Sequence, residues 1–208
     1  MRSLLIDDCI DAGVEYNAGG ARYNWSVSNV AGLSNVVDSL AAVREVVYEK
    51  KEKTGQELLD ILGRNFEGDE AFRARLTKCP RFGNDDPKAD DLAADLGEFV
   101  FKEFLRYATH RGGKFIPSCI MFVTYAGEGG KVGATPDGRL AGGALADSIG
   151  PVQGRDINGP TAMLKSVARL PLHLAAGTPV LNVRFSKKLF ADDEGRRHIR
   201  DMVTTFFA

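Results

Sequence analysis

Tryptophan occurs once in the 208 residues, and cysteine and histidine three times each. These scarcities exclude several kinds of chemistry. Cys9, Cys79 and Cys119 are odd in number and tens of residues apart, so they support neither a disulfide framework nor a CxxC zinc knuckle and read as reduced thiols. His110, His173 and His198 fall into neither an HExxH motif nor an i,i+4 pair, which argues against a protein metal site. No apolar run approaches the roughly 18 residues of a transmembrane helix, and Met1–Ile6 meets Asp7 and Asp8 too soon for a signal-peptide core. The expectation is a cytoplasmic protein without a membrane partner. Neither sign of charge is in excess, with 27 basic against 28 acidic residues, so electrostatics gives no reason to expect nucleic acid. There is no GxSxG elbow, no cysteine has a neighbouring histidine in sequence, and Lys165-Ser166 suits solvated or capping roles better than catalysis. Internal repeats and low-complexity tracts are absent as well.

Glycine, by contrast, is abundant, with 23 residues, and it gathers in a loop over residues 126–159. Here Gly133-Ala134-Thr135-Pro136-Asp137-Gly138-Arg139 is followed by Gly154-Arg155-Asp156-Ile157-Asn158-Gly159-Pro160-Thr161. Glycine permits positive φ, proline fixes its own φ and restricts its predecessor, and aspartate caps backbone amides, so such a loop holds one shape. A phosphate-binding loop is the first chemistry to test. In a Walker A motif, Gly130-Lys131 would need Ser or Thr where Val132 stands and Gly where Tyr125 stands. As GxGxxG, Gly127-Glu128-Gly129 again ends on Val132. The alternative is a loop that wraps a core, Asp137 and Asp156 serving backbone amides while Arg139 and Arg155 pair with acids.

Periodicity predicts strands alternating with helices, an α/β arrangement. A short helical stretch opens the chain, and the adjacent Gly19 and Gly20 lead into an extended segment at Arg22–Trp25. Val36, Val37, Leu40, Val43, Val46 and Val47 recur at helical spacing from Asn35. Thr54 and Glu57 have capping-box spacing for a helix from about 55 to 65, with a short helix following near 69–77. Asp86-Pro87 suits the start of a helix to about 108, whose stripe of Leu92, Leu96, Phe99, Val100 and Phe104 reads as its core face. Phe115–Tyr125 and Thr178–Phe185 read as strands, and helices are expected from Pro160 to about Leu170 and from Asp192 onward.

Several segments, in this order, resemble the glycyl radical enzymes, the family of pyruvate formate-lyase, the glycyl radical diol dehydratases and choline trimethylamine-lyase. They are Ala18–Asn24, Asp38–Ala42, Asn65–Gly68, Phe82–Asp86, Arg111–Phe115 and Gly133–Arg139. The resemblance implies part of a ten-stranded α/β barrel of two half-barrels, with residues 1–208 as an incomplete second half-barrel. Inside such a barrel a cysteine loop and a glycyl radical loop meet: the glycyl radical regenerates a thiyl radical that abstracts hydrogen from substrate. It further implies anaerobic cleavage of a C–C, C–O or C–N bond, formate acetyltransferase-like or diol dehydratase-like. No bound cofactor is expected, a radical SAM activating enzyme is the expected partner with a small-molecule substrate, and a homodimer is expected for the complete enzyme.

The family's Cys loop normally precedes the Ala18–Asn24 segment, and Cys9 lacks its setting. None of the glycines has the Arg-Val-Ser/Ala-Gly-Tyr surroundings of the radical site. The expectation is therefore a chain without the glycyl radical domain, inert alone: a gene fragment, one piece of a split enzyme, or a non-catalytic remnant acting as a binding or assembly module. The resemblance leaves Tyr125 as the first candidate for substrate binding, with Tyr23 and Asn24 behind it. Val123-Thr124-Tyr125-Ala126-Gly127 stands where many relatives read Ser-Ala-Asn-Val-Pro, which bears on the reaction.

Overall fold

The computed structural model describes residues 1–208. Two short parallel strands form its sheet: β1 (Ser26–Asn29) and β2 (Phe115–Ser118), in register from Ser26 opposite Phe115 to Asn29 opposite Ser118. On the far side of β2 a third extended segment runs parallel. The Cys119 amide donates to the Thr178 carbonyl at 3.2 Å, and the Cys119 carbonyl accepts from the Val180 amide at 3.2 Å. Parallel neighbours need long crossovers, and helices supply them. They run in order α1 (Cys9–Ala12), α2 (Leu33–Val43), α3 (Gly55–Gly63), α4 (Glu70–Leu76), α5 (Pro87–Leu105), α6 (Thr124–Gly129), α7 (Pro160–Ala168) and α8 (Asp193–Phe206). The α/β class and most helix positions agree with the sequence reading.

Local chemistry sets the helix starts. The Thr54 hydroxyl accepts from the Glu57 amide at 3.2 Å while the Glu57 carboxylate accepts from the Thr54 amide at 2.7 Å, a complete capping box. Asp86 accepts from the Lys88 amide at 3.0 Å ahead of Pro87, and Asp192 accepts from the Gly195 amide at 2.8 Å. After Val43 the α2 helix widens into a π-helical stretch, Arg44–Glu49, which keeps Val46 buried.

Two hydrophobic clusters hold these elements. One joins α2, α5 and α7 through Val37, Phe101, Met163 and Val167, reaching Cys119 and Ile149; the other packs Val46, Leu58, Ile61, Phe66 and Leu76 around α3 and α4. The core face of α5 differs from the expected stripe. Ala89, Ala93, Gly97 and Phe101 are the buried positions, while Leu92, Leu96 and Val100 flank the core and Phe99 is 67% exposed. The cause is close approach. A Cβ on Gly97 would lie 3.3 Å from the Pro171 ring, so small residues face inward and the bulky stripe is turned to the rim.

The two expected strands are also shorter than predicted. After Cys119 the chain leaves the sheet: the Ile120 amide turns to the Asn29 side chain at 3.3 Å and the Met121 amide to the Ser148 hydroxyl at 3.2 Å. Phe122 adopts a φ of 47°, and α6 begins at Thr124, so Tyr125 lies in a helix and not at the end of a strand. In the 178–185 segment only the bridge at Pro179 forms, because Asn182 turns aside to bond Asp147 at 2.7 Å.

The Arg111-Gly112-Gly113 turn has its own steric reason. A Cβ on Gly113 would stand 1.9 Å from the Asn24 carbonyl oxygen, so the entrances to β1 and β2 meet only through glycine. Gly113→Ala is expected to destabilise the fold by roughly 1–3 kcal/mol or more. Urea unfolding of this variant beside Gly127→Ala, where nothing lies within 4 Å, checks the effect.

Candidate functional site

A cleft of about 430 Å³ opens between the loop 147–160 and the segment 182–189, whose end is a turn of 3-10 helix, with Tyr125 on its wall. Its polar lining includes Asp147, Gln153, Asp156, Asn182, Arg184 and Ser186, and Met163, Val183, Phe185 and Leu189 supply an apolar side. The Asn182 amide donates to Asp147 at 2.7 Å and the Ser148 hydroxyl donates to the same carboxylate at 2.8 Å, so Asp147 is held in place. The Tyr125 carbonyl accepts from the Leu145 amide at 3.2 Å, which ties α6 to the loop and leaves the phenol to the cleft. Tyr125 follows the carboxyl end of β2, the end at which open parallel sheets gather their ligands.

The other two sequence candidates lie elsewhere. Tyr23 and Asn24 precede β1, at the opposite end of the parallel pair. Tyr23 is exposed and packs beside Trp25 with ring centroids 5.4 Å apart. Asn24 commits its amide to the Gly19 carbonyl at 3.0 Å and the Ala21 carbonyl at 2.8 Å. The structure therefore does not bring the three candidates together. Asp147, Asn182 and Arg184 were not singled out by sequence reading, because no motif marks them and only folding places them beside Tyr125.

The glycine-rich loop is locked from inside. Arg139 is buried, and its guanidinium donates to the carbonyls of Gly143 at 2.7 Å, Val132 at 3.3 Å and Gly133, and to the Thr135 hydroxyl at 3.2 Å. Arg155 donates to the Asp137 carbonyl at 2.9 Å. The expectation that these arginines pair with acids is thus corrected: loop carbonyls, left without a ladder, take their place. Asp137 does serve a backbone amide, that of Arg139 at 3.2 Å, and it also accepts from the Asn35 side chain at 2.8 Å. Asn35 in turn accepts from the Ala146 amide at 2.7 Å, so α2 and the loop share one buried network. Gly127 and Gly129 lie within α6, and a Cβ on Gly129 would meet the Gly143 carbonyl at 2.2 Å, so this stretch is no open phosphate cradle.

Beside this network sits Asp38, 2% exposed. One carboxylate oxygen accepts from the Phe82 amide at 2.9 Å and the other has no partner. Burial first, and the nearby Asp137 charge second, push its carboxyl up from 3.8 to about 7, against the Phe82 hydrogen bond and the charges of Arg81 and Arg155. A carboxyl raised by folding favours the native state while it stays protonated. Its contribution is complete below about pH 3.8 and is lost as pH rises toward 7. Asp38→Asn is therefore expected to flatten the pH dependence of stability across that window, removing a change on the order of 4 kcal/mol. Denaturant titrations of both proteins at a series of pH values measure it.

The thiols and the Lys165-Ser166 pair are occupied structurally. All three cysteines are unpaired and buried, and burial pushes the Cys119 thiol up to about 12, leaving no thiolate near neutrality. The Ser166 hydroxyl donates to Asp90 at 2.9 Å and accepts from the Asp85 amide at 3.0 Å, while Lys165 pairs with Asp85 at 3.0 Å.

Parallel strands with helical crossovers and a cleft at their carboxyl ends define an α/β scaffold, and comparison with known proteins makes the assignment specific. The family model described as pyruvate formate lyase-like matches residues 1–129, and the one described as glycine radical matches residues 145–208. The chain belongs to the glycyl radical enzyme family. It is 34% identical over 208 residues to trans-4-hydroxy-L-proline dehydratase of Clostridioides difficile, covering 100% of this chain and 26% of that protein. It is 32% identical over 212 residues to (2S)-3-sulfopropanediol dehydratase of Klebsiella oxytoca, covering 99% of this chain and 26% of the relative. The glycerol-bound B12-independent glycerol dehydratase from Clostridium butyricum superimposes with a TM-score of 0.94 at 34% identity, over 99% of this chain and 26% of that one. The chain thus spans about a quarter of the length of these relatives. Residues 145–208, read above as barrel, carry the glycine radical match; Gly150, Gly154, Gly159, Gly177 and Gly195 lie in it, and none precedes a tyrosine.

Proposed function

We propose that residues 1–208 are part of the catalytic barrel of an anaerobic glycyl radical lyase of the dehydratase type, cleaving a C–O or related bond in a small hydroxylated substrate. The observation that carries this reading is the superposition of nearly the whole chain on the glycerol dehydratase. An acyltransferase of the formate acetyltransferase kind is less favoured, because the similar proteins include dehydratases, sulfite-lyases and a decarboxylase. In this proposal the ten-stranded barrel is completed by segments outside residues 1–208, the complete enzyme is a cytoplasmic homodimer, and a radical SAM activating enzyme generates its glycyl radical.

Within the barrel, this chain would position substrate rather than carry the radical. The Tyr125 phenol would hydrogen-bond a hydroxyl or carboxylate, Asp147 and Asn182 would orient a second polar group, and Met163, Val183 and Phe185 would exclude water. Determining the coding sequence on both sides of residues 1–208 tests the proposal. A reading frame that brings a cysteine loop before residue 1 and an Arg-Val-Ser/Ala-Gly-Tyr segment after residue 208, or a neighbouring frame encoding them, is expected. Stop codons on both sides and no such frame nearby would overturn it.

A further inference from the structure

A second concavity, of about 320 Å³, lies where the C-terminal side of α4, the turn at 80–86 and the loop at 155–158 meet. Lys78, Arg81 and Arg155 line it, together with the carboxylates Glu45 and Asp86. The acids are already engaged. Glu45 pairs with Lys50 at 2.7 Å and Arg75 at 2.6 Å, and Asp86 caps α5. The cations are not: no ion pair in the chain involves Lys78, Arg81 or Arg155. Arg81 is half-buried, and its Nη2 is shut away from solvent without an acceptor. Asp38 does not fill that role, since its own Oδ2 is equally without a donor.

We propose that Arg81 and Arg155, with Lys78, hold a phosphoryl group in this concavity, either as free phosphate or esterified to a small molecule. Arg81 and Arg155 line the same concavity and neither is in an ion pair; burial, followed by the Arg155 charge, lowers the Arg81 pKa against the weaker pull of the Asp38 and Asp137 carboxylates. A dianion relieves the repulsion between the two guanidinium groups. Planar guanidinium forks match a phosphate's oxygens with two parallel hydrogen bonds, and the Lys78 ammonium adds a point charge. The site is preformed. Arg155 is fixed by the Asp137 carbonyl at 2.9 Å, and Asn84 holds the 155–158 loop by donating to the Arg155 carbonyl at 2.9 Å and accepting from the Ile157 amide at 2.9 Å. The volume exceeds that of a bare oxyanion and falls in the range of small-ligand pockets, which leaves room for an ester. All of its lining residues belong to residues 45–158, and none of them lines the cleft beside Tyr125.

The test is titration of the 208-residue chain, at concentrations where sedimentation velocity shows it monomeric, with inorganic phosphate and with glycerol 3-phosphate at constant ionic strength in sodium chloride, followed by phosphorus NMR line broadening and calorimetry. Saturable binding is expected. Arg81→Met and Arg155→Met should each weaken it at least about tenfold, and Lys102→Met, whose lysine pairs with Glu98 elsewhere, should leave it unchanged. Tighter binding of the ester assigns the site to a phosphorylated small molecule, and equal binding assigns it to free phosphate. If Arg81→Met loses its near-ultraviolet circular dichroism, Arg155→Met decides. Absence of saturable binding above the chloride background, or binding that Arg155→Met leaves intact, would overturn the proposal.

Discussion

Expressed without any other segment, residues 1–208 are expected to bind a hydrophobic dye strongly and to self-associate as concentration rises. β1 pairs with β2 on one side only, so its other edge presents unpaired amides and carbonyls, the feature that templates further strand addition. The apolar surface points the same way. A groove of about 420 Å³ between α7, α8 and the 179–185 segment is lined by Leu164, Leu181, Val183, Met202 and Phe206, with Phe207 80% exposed beside it. Phe122 and Val123, where the chain leaves β2, are also exposed, as is Phe99 on α5. Each such side chain gains roughly 1.5–3 kcal/mol on burial, so together they supply a large drive toward association. Dye fluorescence and sedimentation velocity over a concentration series measure this. A monomer with one sharp thermal transition and no dye binding would show that these surfaces need no cover, and would count against an incomplete barrel.

Much of the helical framework was legible in the sequence because its signals are local. Thr54 with Glu57, Asp86 before Pro87, and Asp192 each satisfy amides within a few residues of themselves, so reading them requires no knowledge of the rest of the fold. Strands are another matter. Phe115–Tyr125 has β-forming residues throughout, yet only the first few have a neighbour to pair with, and Asn29 and Ser148 draw the following amides away. The α5 face was misplaced for a related reason: bulk marks a core stripe only where the opposing surface leaves room, and Pro171 comes so close to Gly97 that a Cβ there would stand only 3.3 Å from its ring. The arginine roles in the loop were hidden because their acceptors are carbonyls, which every residue carries. The link from Asn35 to Asp137 joins positions 102 apart, and the cleft beside Tyr125 gathers residues from three separate stretches. Such sites exist only after folding.

The central claim is that residues 1–208 supply scaffold and cleft but not the store of the unpaired electron. Its most direct test is electron paramagnetic resonance after anaerobic incubation of the chain with a radical SAM activating enzyme, S-adenosylmethionine and a reductant, using isotopically labelled glycine. In the proposed function the activating enzyme would remove a hydrogen atom from glycine in an Arg-Val-Ser/Ala-Gly-Tyr segment, and no glycine of this chain has those neighbours. The predicted result is no glycyl doublet from the chain alone, with a signal arising only on a C-terminal segment supplied in trans once the pieces associate. A doublet that the labelling assigns to any glycine within residues 1–208 would contradict the account.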